Sequence, residues 1–405
     1  MIARAEPGRL PSSRLLGAKN TGLLGIGLGV LAFWLTLPPL TTRTVLWPLI
    51  FGLLAVAAGI WSTRRGGGRA GWSAVASGLL GITFGVLATR SSTAHLEEIV
   101  VWSALIASTL RYATPLTFAA IGGMFSERSG VVNIGLEGMM LMGSFFGVWG
   151  ADKTNSWALG VLIAVVAGIA LAFVHAVFTI HLRADQIVIG TAVNFLALGL
   201  TGYLFVSSYG AEGAPTAIPE IPDVSLGFLT DVYFVGPVFA NLNLMIWLSF
   251  ALLLVSYVVM FRTTIGLRIR AVGEHPRAAD TVGISVYRTR YAAVMTSGAL
   301  AALGGAYLSL GFVHTFDQNI TGGRGFIALA ALIFGKWRPF GAFAAALLFG
   351  FSSALGDRLP DYFAEGSAVP QLFNVLPYLL TIIAVAGVIG RSIPPRAIGR
   401  PYTKQ

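Results

Sequence analysis

FRTTIGLRIRAVGEHPRAADTVGISVYRTR, residues 261–290, is a polar island between two long apolar runs, and it carries Arg262, Arg268, Arg270, Arg277, Arg288 and Arg290. In a membrane-embedded chain such a concentration of arginine marks a cytoplasmic loop, because Lys and Arg are retained on the inner side. Within the island Pro276 suits the first helical position after Glu274 and His275, and Gly283 is placed to end the helix. The spacing predicts a helix of about two turns. On it Ala278, Ala279 and Val282 form a small apolar face, while Arg277, Asp280 and Thr281 line the other side. A helix this short is not stable alone and needs a surface to pack on. The stretch reads either as a solvated loop or as a docking helix for a cytoplasmic partner.

Composition decides that this chain is embedded. Of its 405 residues 55% are hydrophobic and 11% charged, and the mean hydropathy is +0.77, whereas a soluble domain is about a quarter charged. The net charge of +10 would suggest nucleic acid in a soluble protein; here the positive-inside rule accounts for it, and no nucleic-acid partner is expected. The absence of cysteine excludes disulfides, thiolate metal sites and cysteine nucleophiles. The polar start MIARAEPGRLPSSRLLGAKN lacks a cleavage pattern before the first apolar run, so it is expected to be retained in the cytoplasm.

Outward from the island, apolar runs long enough to cross a bilayer fall near residues 20–37, 45–61, 72–90, 98–123, 131–150, 157–180, 186–207, 242–261, 291–312, 326–336, 340–356 and 372–390. The expectation is an all-α polytopic membrane protein of about twelve spans with both termini cytoplasmic. With that alternation most of the 27 Lys and Arg lie inside; Arg43, Arg90, Lys153, Arg324 and Arg358 lie outside, and Arg111 lies within a span. The external segment from Ser208 to Asn241 is rich in proline and acid, which suits either an external partner or a solvated connection. The run FIALAALIFGK is short and follows TGGRG, the pattern of a broken or re-entrant helix. Spacings such as Gly25 with Gly29 and Gly143 with Gly147 let helices approach closely.

No enzyme constellation is present. There is no GxxxxGK[ST], since Trp337 follows Gly335-Lys336, and His95, His175, His181, His275 and His314 form no HExxH pair. Polar residues inside spans carry more information, because a charge at mid-bilayer costs roughly 2.5–3.5 kcal/mol and usually faces a cavity or a partner. Glu137 lies one helical turn from Asn133, and Arg111 falls in the preceding span, so an Arg111–Glu137 ion pair is one reading and substrate contact the other. Asn194, beside Phe195 and on the span that begins with Gln186, offers an amide next to an aromatic face. That suits a planar polar ligand such as a nucleobase, or a helix-to-helix hydrogen bond.

SERSGVVNIGLEGMMLMGSF (126–145), ADQIVIGTAVNFLALGLTGYL (184–204), IGLRIRAVGEHPRAADTVGISV (265–286) and GGRGFIALAALIFGKWRPFGA (322–342) resemble permease subunits of bacterial ABC importers, sugar and nucleoside branch, which are related to the branched-chain amino-acid permeases. NIGLEGMM and GEHPRAAD are most similar to the nucleoside permeases, with His275 where Asn is usual. The resemblance implies a division into residues 1–97, an extension with about three spans; 98–392, the permease core; and 393–405, a cytoplasmic tail. It implies a non-catalytic subunit of the bacterial inner membrane that imports nucleosides, with simple sugars such as ribose or galactose as the alternative substrates. A secondary transporter is the distant alternative, disfavoured by the few ionisable residues in the spans. Implied partners are an ABC ATPase that holds the ATP and magnesium, a second homologous permease and an external substrate-binding lipoprotein. ATPase coupling falls to Glu274, Pro276, Arg277, Ala278, Ala279, Asp280 and Gly283, and the substrate path to Asn133, Glu137, Asn194 and Phe326.

Overall fold

The computed structural model describes residues 17–35, 44–90, 102–210, 213, 218–230, 232, 235–358 and 393–404. The run at 372–390 lies outside them. The chain forms two compact units, Met1–Trp102 and Ser103–Gln405.

Among the described residues the first unit has three helices, α1 (Ala18–Trp34), α2 (Leu46–Arg64) and α3 (Gly68–Arg90). Small residues bring them together: a Cβ on Gly25 would come within 2.8 Å of the Ala74 Cβ. Where apolar packing offers little driving force between helices in lipid, hydrogen bonds and close contact hold them. Ser62 Oγ donates to the Ala18 carbonyl at 2.6 Å and Ser77 Oγ to that of Ile26 at 3.0 Å. The outward faces carry exposed Leu53, Leu54, Trp72, Leu79 and Leu80, as a lipid-facing surface does.

The second unit contains α4 (Trp102–Arg128), α5 (Leu136–Thr154), α6 (Trp157–Ala176), α7 (Gln186–Tyr209), α8 (Val235–Phe239), α9 (Leu244–Arg262), α10 (Thr264–Glu274), α11 (Pro276–Thr281), α12 (Val286–Ala306), α13 (Arg324–Phe334) and α14 (Pro339–Arg358). The helices α6 and α12 each continue as π-helix, over Val177–His181 and Tyr307–Val313. At the centre, α12 packs on α5 and α6. A Cβ on Gly168 would meet the Gly298 carbonyl at 2.6 Å, so the two backbones touch only because both residues are glycine. Ser144 Oγ donates to the Gly305 carbonyl at 2.9 Å and Ser309 Oγ to that of Ser144 at 2.9 Å, so α5 and α12 are also joined by polar contacts.

Seven helices among the described residues are long and apolar enough to cross a membrane: those over Leu46–Arg64, Trp102–Arg128, Trp157–His181, Gln186–Tyr209, Leu244–Arg262, Val286–Val313 and Pro339–Asp357. The structure departs from the sequence expectation at several points. The run at 131–150 becomes helical only at Leu136, which leaves Asn133 in the preceding turn and removes the helical relation assumed between it and Glu137. The run at 291–312 begins at Val286, so Arg288 and Arg290 belong to the helix and not to the loop. The short run is the 11-residue α13. At 1.5 Å per residue it reaches ~16 Å, about half the hydrocarbon thickness.

The segment between α7 and α9 is not a bare connection. Strands β1 (Asp223–Ser225) and β2 (Asn241–Asn243) pair antiparallel, with Asp223 opposite Asn243. Asn243 Nδ2 donates to the Ile221 carbonyl at 2.8 Å and to Asp223 Oδ1 at 3.2 Å, while Ile221, Val238 and Leu242 are buried. This ladder is the one departure from helix-only architecture among the described residues.

Candidate functional site

The first site is a cavity of about 250 Å³ between α5, α7 and the start of α13, lined by Glu137, Leu141, Thr191, Asn194, Phe195, Leu198, Asn319 and Phe326, among others. It brings together Glu137, Asn194 and Phe326. Asn133 is elsewhere: fully buried, it donates from Nδ2 to Ser297 Oγ at 2.9 Å.

Among the described residues Glu137 takes no ion pair. Its Oε1 accepts from the Gly323 amide at 2.8 Å and its Oε2 from the Gly325 amide at 2.6 Å. A helix N-terminus leaves amides unpartnered and carries partial positive charge, so the carboxylate caps α13 both by hydrogen bonding and by charge. The TGGRG pattern makes the geometry possible, because Gly323 sits at φ +87° and a Cβ on Gly325 would approach the Glu137 Cα to 2.5 Å. The proposed Arg111–Glu137 pair is therefore replaced by a backbone clamp; among the described residues no ion pair joins the two, and Arg111 is exposed. At its other end α13 runs into a turn where Lys336 and Trp337 have positive φ. The end of α4 holds that turn. Arg128 Nε and Nη2 donate to the Trp337 carbonyl at 3.0 and 2.9 Å, and Trp337 Nε1 donates to Glu127 Oε2 at 2.6 Å.

Asn194 is a fastener as well as a lining residue. Its Oδ1 accepts from the Gly138 amide at 2.8 Å and its Nδ2 donates to the Ile134 carbonyl at 3.0 Å, which ties α7 across the first turn of α5. Gln186 Oε1 accepts from the Val132 amide at 2.7 Å, so this amide holds the turn before α5 and does not reach the cavity. The walls are left to Phe195 and Phe326, both substantially exposed, with Leu141 and Leu198 between them. Aromatic faces with a few amide and hydroxyl groups suit a flat ligand with polar edges. Thr191, Leu198 and Asn319 were not singled out in the sequence; Phe195 was read there as an aromatic face beside Asn194, and the cavity adds it to the path residues.

The second site is the island. Thr264–Glu274 forms α10, an amphipathic helix that the sequence reading left as loop. Thr263 Oγ1 accepts from the Gly266 amide at 3.3 Å to start it. After it α11 spans Pro276–Thr281, with His275 as N-cap: Nδ1 accepts from the Ala278 amide at 3.3 Å, and Gly283 at φ +82° follows the helix. A side-chain acceptor here serves as Asn would, so His275 keeps the cap with a different residue. The expected apolar face divides: Ala279 is 3% exposed and packs with Val272, Val286 and Tyr402, whereas Val282 is 74% exposed and Ala278 is also open. Glu274, His275 and Arg277 are exposed, and with Pro276 they line a cleft of about 400 Å³ whose other wall is Arg396, Ala397 and Arg400 to Thr403. Tyr402 also lies beside Asp280; burial first, then the neighbouring Asp280 carboxylate, push the phenol pKa up from its ordinary value.

Among the described residues, no group of three His, Asp or Glu side chains is placed to hold a metal ion.

Residues 105–385 match the model of the family described as "Branched-chain amino acid transport system / permease component". The chain is 42% identical over 330 residues to the guanosine ABC transporter permease protein NupQ of Bacillus subtilis, an alignment covering 76% of this chain and 99% of that protein. It is 38% identical over 311 residues to the nucleoside ABC transporter permease protein NupC of Lactococcus lactis, covering 74% and 96%. It is 34% identical over 323 residues to the putative glucose ABC transporter permease protein TsgC13 of Haloferax volcanii, covering 74% and 98%. No solved structure matches the chain.

Proposed function

The chain belongs to the branched-chain amino acid transport system / permease component family, and from that premise we propose that it is the nucleoside-conducting subunit of an ATP-driven importer, forming half of the path. It is a multi-pass protein of the bacterial inner membrane. Relatives named for guanosine and nucleosides support the substrate. The observation that carries the reading is the cavity where Phe195 and Phe326 flank Asn194, Thr191 and Asn319, a shape and chemistry suited to a base or ribosyl base. A second homologous permease closes its open side, and an external lipoprotein delivers the ligand.

Energy enters at α11. Glu274, Pro276, Arg277, Ala278, Ala279, Asp280 and Gly283 form or bound this helix, and exposed Val282 beside it is the apolar contact offered to an ABC ATPase that holds the ATP and magnesium. The arginine-rich island and both termini then face the cytoplasm, in keeping with about twelve membrane segments once α1, α3, α5, α13 and the run at 372–390 are counted. On this reading residues 1–97 are an added helical unit ahead of a permease core at 98–392, with residues 393–405 a cytoplasmic tail. A relative named for glucose keeps a simple sugar as the second reading. Uptake of labelled uridine by vesicles holding the purified importer, competed by guanosine or ribose, tests both. Competition by guanosine supports the proposal; competition by ribose alone replaces it with the sugar.

A further inference from the structure

The segment Ile393–Lys404 touches α10, α11, α12 and the α4–α5 turn at the island end of the second unit. The Ala397 amide donates to the Gly273 carbonyl at 2.9 Å, which fixes it to the end of α10. The Gly399 amide donates to the Gly130 carbonyl at 3.2 Å, which fixes it to the turn between α4 and α5. Two contacts come from α12: Arg290 Nη1 donates to the Arg400 carbonyl at 3.1 Å, and Tyr287 Oη to that of Tyr402 at 3.4 Å. The Tyr402 ring, 5% exposed, then sits on Ala279, the one buried residue of α11.

Two features make these contacts more than surface adhesion. Arg290 is 1% exposed, and among the described residues its Nε and Nη2 have no hydrogen-bond partner, so the Arg400 carbonyl is the bond this buried cation makes. A buried charge stripped of water strongly favours whatever acceptor it retains. Meanwhile α11 has six residues, too few to hold its own pose, and the tyrosine supplies part of the small apolar contact that fixes it.

We propose that Ile393–Lys404 is a strap that transmits the pose of α11 to α12 and to the α4–α5 turn, with Tyr402 and Arg290 as its positioning residues. Resting on the reading of α11 as the ATPase-docking helix, it adds a second link. Movement of α11 reaches the transport helices through the chain at Ile284–Ser285 and, in parallel, through Tyr402 and the carbonyl held by Arg290. Without the strap, α11 still docks, but its displacement is lost at the Gly283 joint.

The test uses the whole importer in proteoliposomes, with ATP hydrolysis and nucleoside uptake measured on the same vesicles. Tyr402→Ala and Arg290→Met should retain the ATPase chain and its hydrolysis while uptake falls, raising ATP consumed per nucleoside about fivefold, the scale of an ordinary coupling free energy. Tyr402→Phe, which keeps the ring, should restore the wild-type ratio. An unchanged ratio in Tyr402→Ala overturns the strap, as does loss of the ATPase chain, which would make the segment a docking element instead. If Arg290→Met yields no folded protein, Tyr402→Ala decides alone. Failure of the underlying reading looks different: the wild-type chain would then hold no ATPase or transport without ATP.

Discussion

Oε2 of Glu137 lies 2.6 Å from the amide nitrogen of Gly325, and the glycine approaches so closely that a Cβ on it would come 2.5 Å from the Glu137 Cα. A short helix is thereby seated on the first turn of α5 through its own N-terminus, next to the cavity. Two substitutions separate the parts of this contact. Gly325→Ala forces the backbones apart and should cost about 1–3 kcal/mol, as overpacking does. Glu137→Gln retains one acceptor but loses the charge and should cost about 1–2 kcal/mol. Thermal unfolding of the purified chain in detergent checks both, and an alanine variant as stable as wild type would contradict the close approach.

The cavity walls should behave differently from its fasteners. Phe195→Ala and Phe326→Ala remove exposed rings, so they should leave stability unchanged while raising the KM for nucleoside uptake about tenfold, the scale of one base–aromatic stack. Unaltered KM in both would remove them from the path.

Asn194→Leu should act on both properties. It leaves the Gly138 amide and the Ile134 carbonyl without their partners, which should cost about 0.5–1.5 kcal/mol for each of these part-buried bonds. Uptake should fall as well, and more than the loss of folded protein explains. Transport normalised to folded transporter is the measurement, and a normalised value equal to wild type would leave Asn194 a fastener only.

The short helix α11 was the most legible part of this chain because its boundaries are local chemistry: Pro276 fixes a first-turn conformation and Gly283 adopts a positive φ, and both act within a few residues. The partner of Glu137 was not legible. It lies 186 and 188 positions away and consists of backbone amides, which carry no residue signature. The same reason hid the strap, where amides of Ala397 and Gly399 reach carbonyls of Gly273 and Gly130. The helix α10 was missed because Arg268 and Arg270 made its sequence read as a charged loop, although Ile269 and Val272 mark its buried side.

At α11, capping and contact can be separated. His275→Ala removes the acceptor for the Ala278 amide and should cost the helix about 0.5–2 kcal/mol, whereas His275→Asn restores a good cap and should transport as wild type. Circular dichroism would not resolve six residues, so uptake per transporter is the measurement. Alanine and asparagine variants with equal activity would show that the cap is dispensable.

Val282 and Asp280 make opposite kinds of contact and predict opposite controls. Val282 is 74% exposed beside α11, so Val282→Asp changes nothing inside this chain but places a charge where an apolar partner surface is expected. ATPase association should weaken about tenfold, the cost of one interface anchor, with membrane insertion and thermal unfolding unchanged. Asp280→Arg should also lower transport and ATPase retention. It differs in one respect, because Asp280 lies beside the Tyr402 phenol, and a longer, positively charged side chain there displaces the ring from Ala279 and disturbs the strap as well. A pull-down at several ATPase concentrations separates the effects: Val282→Asp should be rescued by excess ATPase, while Asp280→Arg should regain binding but keep a raised cost of ATP per nucleoside. Equal retention of the ATPase by wild type and both variants would remove this face of the helix from the docking surface.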